Sequence, residues 1–203
     1  MLHIEVVTAP AIEPLTASDA KTHLRETATG QDTRISLAIE SARMAVENFT
    51  GRALITRTLS MKLPGFPCEI ILPRAPLASA TQVDSVKYVD NDGVEQTLVL
   101  DTDYRVLAPS GPQADHGRII LPYNGSWPTP RGQPDAVRVQ WTAGYATTAS
   151  GVPGALREAM LLLIGDAYEN REAQIANGAL SINRTVENIL WPFRLETPRL
   201  MWP

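Results

Sequence analysis

Residues able to do chemistry are few in this 203-residue chain, and they are widely spaced. Asp101 and Asp103 are the nearest thing to a carboxylate pair for general acid and base work, but at alternate positions of a loop such groups are commonly only solvated. His3, His23 and His116 lie far apart, without the H-x-x-x-H rhythm of a metal site, and read as surface or helix-face residues. Cys68 is the single cysteine, which rules out a disulfide within the chain and a cysteine zinc cluster; beside Pro67 it reads as a small packing residue. Asp90-Asn91-Asp92-Gly93 superficially matches a calcium loop. With Gly93 in the glycine place, however, the first and last ligand places fall on Tyr88 and Val99, so a turn is the better reading. No G-x-S-x-G elbow, G-x-x-x-x-G-K-[ST] loop or G-x-G-x-x-G turn occurs. Catalytic residues, metal ligands and cofactors are therefore expected to be none.

Composition narrows the classes further. Hydrophobic residues at 44% and charged residues at 20% suit a packed globular chain rather than a disordered one or a coiled-coil rod. Eighteen Lys and Arg against 22 Asp and Glu give a net charge of -4, without the broad positive field that grips duplex DNA. Met1 to Glu5 lack a basic region followed by an apolar one, and no stretch is long and apolar enough for a membrane span, so neither secretion nor membrane attachment is expected.

The elements follow from periodicity. An extended arm carrying Pro10 and Pro14 leads to Thr16, whose hydroxyl can cap a short helix running to about Arg25, with Asp19 three residues on. Ile35, Ala38, Ile39, Ala42, Ala45, Val46 and Phe49 recur at helical spacing, and Gly51 is the natural stop. From Leu54 the period becomes that of strands. Leu59 to Leu63, Glu69 to Leu72, Val83 to Val89, Val94 to Leu100, Tyr104 to Leu107, Arg118 to Leu121 and Ala136 to Thr142 read as short extended runs, with Asp92-Gly93 turning a hairpin. Pro153 then opens a helix to about Arg171 whose apolar face, widened by Leu161 and Leu162, asks for neighbours on more than one side. A final short helix around Val186, Ile189 and Leu190 meets Pro192. The fold class expected is α+β: a small bundle of about four helices with an inserted antiparallel β region.

The C-terminal segment is unusual. Trp191, Phe193, Leu195, Leu200, Met201 and Trp202 concentrate apolar mass in a Pro-broken tail. Exposed tryptophan asks for cover. The tail either wraps its own domain or docks into another subunit or partner, and physics alone favours neither.

Read together, several segments resemble one family. Leu15-Thr16 with Ala20-Lys21-Thr22-His23-Leu24-Arg25, then Thr50-Gly51-Arg52-Ala53-Leu54-Ile55-Thr56, resemble the opening of tailed-phage head-tail connector (adaptor) proteins, which include the connectors of phage-like gene transfer agents. The likeness continues through Leu72-Pro73-Arg74-Ala75-Pro76-Leu77, Tyr88-Val89-Asp90, Gly117-Arg118-Ile119, Val137-Arg138-Val139 with Ala143-Gly144-Tyr145, Val152-Pro153, Tyr168-Glu169-Asn170-Arg171-Glu172, and Val186 to Arg194. It implies a structural virion component without catalytic activity, located at the neck and assembled in the bacterial cytoplasm. Such a protein forms a ring of about twelve copies beneath the portal protein, joins it to the stopper or tail-proximal protein, and lets genomic DNA pass through the lumen without sequence-specific binding.

Under this reading residues 16–53 and 146–194 form a helical connector domain and residues 54–145 an inserted β region. Residues 1–15 are an extended arm and residues 195–203 a docking tail. Trp191, Phe193, Arg194, Leu195, Leu200, Met201 and Trp202 are the expected portal contacts, and Leu161, Leu162, Tyr168 and Arg171 the expected packing between subunits. Two rivals from other classes are a small hydrolase using Asp101, Asp103 or His116, and a binding module with Tyr123 and Trp127 as stacking faces.

Overall fold

A computed structural model describes residues 4–27, 29–169 and 184–196. The fold is α+β, with four helices and two antiparallel sheets among the described residues. Helix α1 (Ala17–Leu24) begins at the expected capping box: Asp19 N–H donates to the Thr16 hydroxyl at 3.1 Å, and Thr16 N–H donates to the Asp19 carboxylate at 2.8 Å. Helix α2 (Asp32–Thr50) ends at Gly51, whose φ of 72° lets its N–H reach back to the Glu47 carbonyl. Ile35, Ile39, Ala42 and Val46 line its buried face. Helix α3 (Gly154–Glu169) packs on α2 through Leu156, Ala159, Met160 and Ile164, and α4 (Arg184–Leu190) packs chiefly on α3. Among the described residues the wide apolar face of α3 is only partly covered, since Leu161, Leu162 and Leu163 are half-buried.

The larger sheet has the order β1-β2-β8-β4-β5. Its strands are β1 (Ile4–Thr8), β2 (Arg57–Leu63), β4 (Val83–Val89), β5 (Glu95–Thr97) and β8 (Val137–Ala143). Leu59 faces Trp141 and Met61 faces Val139 across the central pair, so alternate side chains of β2 and β8 fill one face. Trp141 is fully buried there. A three-stranded sheet, β3 (Ile70–Leu72), β7 (Gly117–Ile120) and β6 (Arg105–Leu107), completes this second core. The Asp90 to Gly93 segment is the expected turn. The Asp90 carboxylate accepts N–H bonds from Asp92 and Val94 and an amide bond from Gln96, and these hold it below the usual carboxylate range, Gln96 foremost.

The arm expected to be merely extended is a strand. Ile4, Glu5 and Val6 pair with Met61, Ser60 and Leu59, so β1 forms one edge of the larger sheet and the β region is completed by chain from outside it. Its β-branched residues suit a strand, but its largely exposed side chains leave no alternating burial for a pattern to reveal. Strand β5 is shorter than the expected Val94 to Leu100 run, although Leu98 N–H still reaches the Val86 carbonyl.

The two cores meet along a seam of backbone contacts. Ala53 N–H donates to Ala75, Thr56 N–H to Ala146 and Gly144 N–H to Pro76, each at 3.0 Å. Gly144 is required there. Its φ is 138°, and an added Cβ would lie 2.5 Å from the Thr56 nitrogen.

Replacing Gly144 by Ala is expected to cost roughly 2 to 4 kcal/mol, read by chemical denaturation. Thr16→Ala should cost about 1 kcal/mol at neutral pH. The bonds from Thr16, backbone first and then side chain, hold the Asp19 carboxyl below its ordinary value. That stabilisation is present above the ordinary carboxylate range and is lost as pH falls through the lowered value. The gap between wild type and Thr16→Ala should therefore narrow in acid; a gap independent of pH would refute the coupling.

Candidate functional site

Buried charged groups gather at the C-terminal end of α2, where the last described segment, residues 184–196, is held. Val186, Leu190 and Phe193 are buried in the helical core, one helical turn or so apart, and a 3-10 turn over Trp191–Phe193 accommodates Pro192 near its start, where a missing N–H costs nothing. Beyond the turn the chain is gripped by its backbone. Arg52, only 1% exposed, donates from Nε to the Phe193 carbonyl at 2.6 Å and from Nη1 to the Ala114 carbonyl at 2.7 Å. Leu195 N–H donates to the Thr50 carbonyl at 2.9 Å. His116, also buried, has Nε2 3.0 Å from the Glu196 carbonyl oxygen and Nδ1 3.2 Å from that of Leu72. Carbonyls only accept, so the neutral ring, with one N–H, satisfies one of them at a time and the imidazolium satisfies both.

The charges around this clamp are tied in. Burial pulls the Arg52 guanidinium below its ordinary range, against the opposing influence of Tyr145 and Asp115. One turn earlier, the buried Glu47 carboxylate accepts bonds from Arg57, from Arg43 at 3.2 Å and from Leu54 N–H at 2.9 Å. Arg43 also donates to Glu13 at 2.7 Å. Burial works against the Arg43 charge, but the two carboxylates outweigh it and raise its affinity for the proton. Arg74 caps the end of α2, donating to the Glu47 carbonyl at 2.7 Å and to the Asn48 side chain at 2.9 Å.

On the outer side, the Arg194 guanidinium lies 5.6 Å from the Phe49 ring centroid and 5.3 Å from that of Trp191, within cation–π range of both. Trp191 nonetheless stays 63% exposed. The expected tail residues thus divide: Phe193 is a plug in the chain's own core, Leu195 is half-buried, and Trp191 and Arg194 face outward. Leu200, Met201 and Trp202 lie outside the described residues, as does Arg171. Leu161 and Leu162 are half-buried on α3, and the Tyr168 hydroxyl donates to Glu26.

The rival residues do not converge. Asp103 accepts from Val99 N–H at 2.7 Å, and Asp101, at φ 65°, turns the chain so that its N–H meets the Tyr104 carbonyl. His116 is spent on carbonyls and is buried, not on the surface as its spacing implied. Trp127 stacks on Phe66 at 4.8 Å, whereas Tyr123 stands alone at a loop tip, so the two form no common platform. Cys68 is exposed rather than packed, because it sits in a loop outside both cores. Among the described residues no cluster of His, Cys, Asp or Glu is placed to hold a metal, and no helix is long and apolar enough to cross a membrane. The clamp itself escaped the sequence reading. Thr50 and Arg52 stood within a segment already singled out, but nothing in residue type says that an arginine is buried against carbonyls contributed from far along the chain.

No protein-family profile and no curated protein matches the chain. Solved structures do. A chain from the neck of an empty GTA particle, computed with C6 symmetry, aligns with a TM-score of 0.77 at 24% identity, over 99% of this chain and all of that one. A chain from the neck of a native GTA particle, computed with C12 symmetry, aligns at 0.73 and 26% identity over the whole of both. A chain from the virion of a native gene transfer agent (GTA) particle aligns at 0.73 and 24%, over 97% of each. The alignments take in the helices and the β region together.

Substituting Arg52 by Met should leave the Phe193 and Ala114 carbonyls buried without donors, at a cost of about 2 to 4 kcal/mol. The variant should also be cleaved near residues 190–196 under limited proteolysis while the rest of the fold resists. Equal protection of this segment in wild type and Arg52→Met would refute the clamp.

Proposed function

We propose that the protein is a non-enzymatic head-tail connector (adaptor) of a gene transfer agent or tailed-phage particle. In this reading copies form a ring beneath the portal protein, join it to the stopper or tail-proximal protein, and leave a lumen for DNA. The observation that carries the reading is the full-length likeness to a chain from a GTA particle neck, 26% identical over all of both chains. Charge supports it: at -4 the chain carries no general attraction for the DNA that must slide past.

The clamp gives the C-terminal segment its part in this function. Arg52, Thr50 and His116 hold residues 193–196 by backbone groups, so Glu196 is fixed on the body of the domain. Leu200, Met201 and Trp202 on that segment are the portal anchors in this proposal, and Phe193 is the plug that fixes their root.

The test is truncation after Glu196, which spares every clamp contact. Light scattering on a sizing column should show wild type co-eluting with the portal protein encoded beside it, at about twelve copies per complex. The truncated chain should keep the wild-type circular dichroism and melting point but lose portal binding. Undiminished binding would overturn the assignment of the tail; a wild type indifferent to portal would overturn the connector reading.

A further inference from the structure

A groove of about 320 Å³ runs between α1, α2 and α3 on the helical bundle. Its floor is Ile35, Ala42 and Ile164 from the core, and its rim includes Leu37, which is 63% exposed. Nearly everything facing it is apolar. At its mouth stands the exposed Arg34, which has no hydrogen-bond or ion-pair partner among the described residues.

The chain also carries the converse shape. Trp191 projects from the turn after α4, and the Glu187 carboxylate sits one helical turn before it, likewise without an ion-pair partner among the described residues. Through Arg194, Trp191 is tied to Phe49 at the C-terminal end of α2. The groove lies along the earlier part of the same helix. Trp191 is 63% exposed and so stands outside its own chain's groove, whose Leu37 end lies about 18 Å along α2 from Phe49 at 1.5 Å per residue. Indole matches an apolar cleft, and the acid beside the indole matches the base at its mouth.

We propose that Trp191 of one copy enters the α2–α3 groove of the next, with Glu187 meeting the neighbour's Arg34. This rests on the ring reading above and supplies its contact between copies. Because knob and groove are different patches, the contact is head-to-tail, and it closes a ring when its rotation is a whole fraction of a turn, as the ring reading requires. It assigns Trp191 to the neighbouring copy rather than to the portal, and it covers Trp191 and the Leu37 rim of the groove with each other. A Trp held in a fully desolvated cleft is the usual form of an interface anchor.

The test uses full-length variants with the fold checked by circular dichroism. Wild type, alone or on portal, should assemble to ring mass. Trp191→Ser and the groove-filling Ala167→Arg should each weaken assembly by roughly thirtyfold or more. Mixed together, these two variants should give a one-to-one dimer and nothing larger, since the Ala167→Arg copy offers an intact Trp191 and the Trp191→Ser copy an intact groove. Arg34→Glu and Glu187→Arg should each weaken assembly, and the double variant should regain it. Rings formed normally by Trp191→Ser, or a mixture that stays monomeric, would overturn the groove assignment while leaving the connector reading intact. A wild type that never assembles, even on portal, would overturn both.

Discussion

The structure depends on burying a cation. Arg52 sits two residues past the end of α2, between the helical core and the β core, and its guanidinium is out of water. Removing a charge from water is tolerable only where fixed dipoles replace the water, and here carbonyls from residues 114 and 193 do so. Those residues belong to the β region and to the C-terminal segment. One side chain therefore makes three distant parts of the sequence interdependent, and the segment after α4 is held in place as a condition of solvating the arginine. The Glu47 network a turn earlier works in the same way, drawing Arg43, Arg57 and Arg74 onto the same helix end.

Around that hub the two cores keep separate logic. The helical one is filled at helical spacing from α2, α3 and α4, and the β one by the alternate residues of β2 and β8. They are joined mainly by backbone bonds along the 53–56 and 144–146 seam, where Gly144 admits a close approach that any side chain would block. Backbone seams of this kind resist sliding, because each donor has one acceptor at one register. The orientation of the β region on the bundle is thereby fixed in a way that apolar packing alone, which is non-directional, would not achieve.

Much of this is legible in the sequence. The capping box at Thr16 and Asp19, the stop at Gly51, the turn at Asp92-Gly93 and the inward set Val137, Val139 and Trp141 are local signals, and local signals survive folding. Strand β1 carries no such signal, because its pairing defines it: Ile4 to Thr8 have strand-forming residues but no buried face. His116 was misjudged for a related reason. Its two carbonyl partners come from residues 72 and 196, and no spacing in the sequence brings them together. The tail residues looked alike as a group, yet Phe193 is a core residue and Trp191 a surface one, separated by the rotation of a single tight turn at Pro192.

The clamp takes hold of residues 193, 195 and 196 by main-chain atoms, which are the same for every amino acid, while Phe193 alone fills the core with its ring. A socket that holds Leu195 and Glu196 by the backbone places little demand on the side chains that follow them in the sequence. The terminal peptide can therefore diversify, or be exchanged wholesale between relatives, without disturbing the domain that presents it. Partner preference would then evolve in a short stretch of chain, insulated from the stability of the body that carries it.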